Sequence, residues 1–168
     1  ITCTSSNVVQ TVLQAFSQVE NLKVLYGPDT YMGQNIREMF HLLSEMTDEE
    51  IRALHPLHNK QTIRYVQFSF AYSDLSFRAL LDRFEYFEDG TCIVHHLFGG
   101  DVCNTVKEAY GDAYITAHFE VPGEMFKLAM QAKKRGMGVV GSTANILNFI
   151  SSAVKDQITN RTTDRLQF

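Results

Sequence analysis

Three groups of side chains in this sequence have the types and spacing to do chemistry. His118-Phe119-Glu120 sets an imidazole and a carboxylate two residues apart, directly behind a run (114–118) that reads as a strand. In extended backbone, residues two apart share a face, so the pair could serve one ligand as acid and base. A solvated His and Glu on a loop is the plainer alternative. Ser5-Ser6 and Ser142-Thr143 put hydroxyls at expected helix N-termini, where unpaired N–H groups and the helix dipole favour phosphate or carboxylate. Simple capping would use the same residues. Cys92 stands just past Gly90, at the mouth of an expected strand over 91–95. It is either a small apolar filler or a sulfur that binds something. Pairing it with His95 as nucleophile and base is discounted, because strand residues three apart point to opposite faces.

These groups need a scaffold. A chain of 168 residues with 45% apolar content can bury an ordinary core. A net charge of −4 argues against a nucleic-acid or anionic-membrane surface. The cluster Lys133-Lys134-Arg135 is what a helix C-terminus prefers. No apolar run approaches the roughly 18 residues of a membrane span, and no signal or transit peptide is visible. Three scattered cysteines, Cys3, Cys92 and Cys103, form no CxxC and no disulfide framework, which suits a reducing compartment. Cys103 reads as a buried residue of a helix.

Periodicity supplies the elements. Residues 1–4 read as the end of a buried strand, followed by a helix with Val8, Val12, Phe16 and Val19 on one face. A strand over 22–26, a helix from Gln34, a capping box at Thr47-Asp48-Glu49-Glu50 and a helix over 77–87 follow. Residues 65–70 alternate without an evident partner. Beyond Cys92 come a helix begun by Asp101, the strand 114–118, and a helix between Pro122 and Gly136. A strand over 137–140, a helix carrying Ile146, Leu147, Ile150 and Val154, and a strand begun at Leu166 complete the series. Strands alternating with helices predict an α/β fold, with parallel sheets covered on both faces and ligands beyond the strands' carboxyl ends. Residues 4–12 also echo residues 142–150 at an offset of 138, with Asn7 falling on Asn145. Duplication of one α/β unit and convergence on a common turn both account for this.

Together, Thr4-Ser5-Ser6-Asn7, Gly27-Pro28-Asp29-Thr30-Tyr31-Met32-Gly33, Gly90-Thr91-Cys92-Ile93-Val94-His95, His118-Phe119-Glu120 and Gly141-Ser142-Thr143 resemble the quinolinate synthase family, in its plastid-type branch. The resemblance implies three-layer αβα domains, three of them around a pseudo-threefold axis. Residues 1–92 would be the second half of domain two, with 65–76 a candidate insertion, and 93–168 the first part of domain three. It implies condensation of iminoaspartate with dihydroxyacetone phosphate to quinolinate for NAD synthesis. A [4Fe-4S] cluster would take one ligand here, Cys92, and two from outside this chain. By position His118 matches a substrate-binding histidine and Glu120 the acid/base glutamate, while Ser5, Ser142 and Thr143 match residues that hold carboxylate or phosphate. The implied setting is the plastid, with a sulfur and iron delivery system as partner and a homodimer among the assemblies open to it. Members often have proline where this chain has Phe119. A non-catalytic anion-binding module and a cysteine hydrolase using Cys92 are the competing readings.

Overall fold

The computed structural model describes residues 1–19, 21–43, 45–54 and 81–160. They fall into two compact units, Ile1–Gly90 and Thr91–Phe168. The alternating run at 65–70, the candidate insertion and the strand begun at Leu166 lie outside the described residues.

In the first unit, α1 (Val8–Gln18) leads to β1 (Val24–Tyr26), α2 (Thr30–Leu42), α3 (Asp48–Leu54) and β2 (Phe84–Tyr86). β1 and β2 pair in parallel, Val24 with Phe84 and Tyr26 with Tyr86. α1 buries Val8, Val12, Leu13 and Phe16; α2 buries Met32, Ile36, Met39 and Phe40. Those spacings are one helical face each. The Phe40 ring meets Phe84 edge-on at 5.4 Å. Gly33 lets α2 lie on β2, since a Cβ there would collide with the Tyr86 Cβ. The capping box forms as expected: Thr47 N–H donates to Glu50 Oε2 at 2.7 Å and Glu50 N–H to Thr47 Oγ1 at 3.3 Å.

Three expectations fail here. Residues 1–4 form no strand, and Ile1 is fully exposed. α2 starts at Thr30, not Gln34, because Asp29 accepts from Met32 N–H at 2.6 Å and caps it four residues early. Residues 84–86 are strand where a helix was expected, with Phe84 buried and Glu85 exposed. The period of two wins there because the pairing with β1 needs it.

In the second unit, α4 (Ile93–His96) and α5 (Gly100–Ala109) precede β3 (Ile115–His118), α6 (Gly123–Lys134), β4 (Gly138–Gly141) and α7 (Thr143–Asn160). β3 and β4 pair in parallel from Ile115 with Gly138 to His118 with Gly141. α6 and α7 both pack on this strand pair. Phe126, Ala129 and Ala132 of α6 are fully buried, and Gly138 passes so close that a Cβ would come 2.7 Å from the Ala132 Cβ. α6 ends as its sequence predicts. Gly136 takes φ +74°, Gly136 N–H reaches Lys133 O at 2.9 Å and Met137 N–H reaches Ala132 O at 2.9 Å. The α/β class holds for both units. The strand expected over 91–95 does not form: Cys92 precedes the short helix α4, and His96 N–H bonds back to Cys92 O at 3.0 Å. Among the described residues no helix is long and apolar enough to cross a membrane.

Candidate functional site

The site in the second unit is built at the carboxyl end of the parallel pair. β3 ends at His118, and the chain turns back with Val121 N–H bonded to His118 O at 3.3 Å. Phe119 anchors the turn: its N–H donates to Gly141 O at 3.1 Å, and its buried ring meets Phe126 at 5.7 Å. Glu120 is thereby aimed back, with Oε2 3.3 Å from His118 Nδ1. The two side chains expected to cooperate do meet, but across a turn and not along a continuous strand.

A third group joins them. His95 Nε2 lies 3.4 Å from the same Glu120 oxygen, so one carboxylate sits between two imidazoles. His95 was missed because strand geometry had separated it from Cys92. On helix α4, residues three apart share a face, and that ground for discounting the pair disappears. The trio keeps only about a quarter of its side-chain surface in water: 23% for His95, 28% for His118 and 29% for Glu120. Both histidines also line a cavity of about 500 Å³ whose other walls include Phe98, Tyr110, Tyr114 and Val121. A carboxylate beside two groups that can donate or accept a proton, at the edge of an apolar hollow, is suited to acid–base work and to holding an anionic ligand.

The hydroxyl turn follows β4 at once. Ser142 is buried, and its N–H and Oγ both donate to Asn145 Oδ1, at 2.9 and 2.7 Å. Asn145 N–H lies 3.4 Å from Ser142 Oγ, and Ile146 N–H makes the first helical bond to Ser142 O at 3.0 Å. Ser142 is therefore a cap whose hydroxyl is already engaged. Thr143, the first residue of α7, is exposed. Because Gly141 pairs with His118, Ser142 and Thr143 leave the sheet at the same end as the His–Glu trio.

Ser5 belongs to the first unit, and its turn repeats the same pattern. Thr4 N–H donates to Asn7 Oδ1 at 2.8 Å, Thr4 Oγ1 lies 3.4 Å from it, and Val8 N–H reaches Thr4 O at 2.9 Å. Thr4 also shares a 2.7 Å hydroxyl contact with Ser6. The sequence echo is thus a shared hydrogen-bonding pattern, with Ser5 in the position of Thr143.

Cys92 is half-buried and not in a disulfide, one helical turn before His95. It has the exposure a thiolate ligand needs. Cys103 does not: it is 1% exposed, and burial first, then Glu124, pushes its thiol up in spite of Lys107. Among the described residues no three His, Cys, Asp or Glu side chains converge as a metal site. The second unit can therefore offer a cofactor one accessible thiolate.

Comparison with known proteins identifies the family. The family model described as quinolinate synthetase A protein matches residues 1–166. A quinolinate synthase, chloroplastic, of Nicotiana tabacum is 61% identical over all 168 residues, which are 21% of that protein. Proteins of the same name from Oryza sativa subsp. japonica and Arabidopsis thaliana are each 54% identical over the whole chain, covering 22% and 21% of their lengths. The chain thus spans about a fifth of the curated relatives it matches. No solved structure matches.

Proposed function

Since the chain belongs to the quinolinate synthetase A family, we propose that it forms part of a plastid quinolinate synthase, condensing iminoaspartate with dihydroxyacetone phosphate to quinolinate, phosphate and water for NAD synthesis. The observation that carries this reading is Glu120 Oε2 held between His95 and His118 at the carboxyl end of a parallel strand pair. The condensation needs protons taken from carbon and delivered to departing oxygens, and Glu120 is placed to move them. His118 and His95 hold that carboxylate in position and present imidazoles to an anionic substrate. Thr143 and the N–H groups opening α7 bind a carboxylate or phosphate, with Ser142 as their cap and Ser5 as the matching residue of the first unit.

The family's three αβα domains around a pseudo-threefold axis would contain the two units described here as parts of domains two and three. A [4Fe-4S] cluster would be held by Cys92 and by two thiolates from the rest of such a protein. When bound, it supplies a Lewis-acidic iron with an open position. Its assembly requires a sulfur and iron delivery system, and a homodimer is compatible with the reading. Alkylation of Cys92 with loss of hydrolysis would single out the cysteine-hydrolase alternative, in which Glu120 would orient the His95 imidazole.

The test is Glu120→Gln in the full-length enzyme. Cluster absorbance should stay intact while turnover falls by roughly 100-fold or more, as for loss of a general acid or base. Near-normal turnover would remove Glu120 from the mechanism.

A further inference from the structure

We propose that the segment following α7, with Leu166 and Phe168, adds to the free edge of β3 as a third parallel strand and closes the apolar hollow beside the His–Glu trio. The inference goes beyond the proposed reaction and does not depend on it. The hollow of about 500 Å³ is lined by Val102 and Val106 of α5 and by four successive residues, Ile115 to His118. A strand face would contribute only alternate residues, so the hollow follows an edge of β3. Among the described residues β3 pairs with β4 alone. Ile115 N–H donates to Met137 O at 2.9 Å and Phe119 N–H to Gly141 O at 3.1 Å. Between them the alternation turns the Thr116 main chain away from β4, to the edge that borders the hollow. Small anionic substrates gain nothing from apolar walls, whereas an extended peptide supplies both hydrogen bonds and apolar side chains.

The occupant follows from the two crossover helices. A Cβ on Gly138 would come 2.7 Å from Ala132 Cβ of α6, and one on Gly141 2.8 Å from Asn145 Cβ of α7. Strand residues three apart point to opposite faces, so α6 and α7 cover opposite sides of the sheet. The rings agree: Phe119 meets Phe126 of α6, whereas Tyr114, at the start of β3, meets Phe149 of α7 at 5.8 Å. Crossovers between parallel strands are right-handed. With α6 on one face between β3 and β4, a right-handed turn through α7 on the other face leads back past β3, not beyond β4. α7 starts at the carboxyl end of β4 and runs 18 residues, about 27 Å, which brings the chain to the amino end of the sheet. Residues 161–165 make a connection of ordinary length to 166–168, where the sequence reads as the start of a strand. Running parallel, that strand ends beside His118. β3 then becomes the strand beside which crossovers leave on opposite faces, the place where α/β sheets bind ligands, and Glu120 lies there between its two histidines.

The experiment uses the full-length protein and hydrogen exchange at single amides, read by mass spectrometry. Thr116 N–H should exchange as slowly as Ala117 N–H, which faces β4. Successive strand residues turn their main chains to opposite edges, so one of Leu166→Pro and Gln167→Pro deletes an N–H that faces β3. That variant should speed exchange at Thr116 roughly tenfold, the scale of one lost hydrogen bond, while the α6 amides keep the native rate. Fast exchange at Thr116 in the native protein, or no acceleration in either variant, would overturn the proposal. If both variants unfold α6 as well, Tyr110→p-benzoylphenylalanine decides, because it sets a photocrosslinker on the wall of the hollow. Capture of the peptide carrying residues 166–168 from the same chain supports the proposal. Capture of any other peptide, of a second copy or of nothing rejects it.

Discussion

The turns at Thr4–Asn7 and Ser142–Asn145 use one device in two settings. In each, an asparagine oxygen takes the N–H and hydroxyl of the residue three before it, and that residue's carbonyl takes the first helical bond. The settings differ in depth and in what comes before. Ser142 is 5% exposed and follows β4, whose last residue pairs with His118. Thr4 is exposed, and residues 1–3 are not strand. The hydrogen-bond pattern alone is therefore a cap. What makes the second turn a candidate ligand site is the company it keeps at the end of the sheet.

The largest expected difference lies one residue before each turn. Gly141 is so tightly placed that a Cβ would come 2.7 Å from Asn145 Oδ1 and 2.8 Å from its Cβ. The corresponding residue of the first turn, Cys3, already carries a side chain. Gly141→Ala should destabilise the second unit by about 1–3 kcal/mol, the range of overpacking in a close-packed site. Cys3→Ala should be near neutral. Thermal unfolding of the two variants checks this, and equal losses would show that the two turns are equally crowded.

A smaller contrast is expected at the asparagines. Asn145→Ala strips the acceptor from a buried N–H and a buried hydroxyl, so it should cost about 1–2 kcal/mol. Asn7→Ala does the same at an exposed turn, where water can substitute, and should cost roughly half a kcal/mol. Denaturant melts with matched slopes would measure the pair. Equal costs would mean that depth does not separate them.

That contrast also shows where sequence reading succeeds. The echo, the Thr47–Glu50 box and the α6 stop at Gly136 are local devices, set by residues within one turn of each other. Each was legible because its partners are close in sequence. The proximity of His118 and Glu120 was legible for the same reason, although the turn at Phe119 was not. Cys92–His96 was misread because Thr91, Ile93 and Val94 favour strands, and α4 buries no face that would show a helical period. Ile93, Val94 and Leu97 are 73, 57 and 67% exposed, so their apolarity carried no information about pairing here. The contact between His95 and Glu120 joins α4 to the turn after β3, which no local pattern records. Thr30 likewise meets Phe87 and Gly90 only through the fold.

The finest test separates the two hydroxyls of the second turn. Ser142 spends its hydroxyl on Asn145 inside the protein, whereas Thr143 is exposed at the first position of α7. Ser142→Ala should therefore act on stability, by about 1 kcal/mol, as removal of a cap does. Thr143→Ala should change stability by less than about 0.5 kcal/mol, because an exposed hydroxyl at a helix start holds nothing in place. Its effect should appear in binding instead. One lost hydrogen bond to an anion corresponds to roughly a tenfold weaker affinity for a dicarboxylate or a triose phosphate. Titration calorimetry on the full-length protein, alongside thermal unfolding, resolves the two effects. Unchanged affinity in Thr143→Ala would leave the second turn a helix cap like the first, and would move anion recognition to the His95–Glu120–His118 trio.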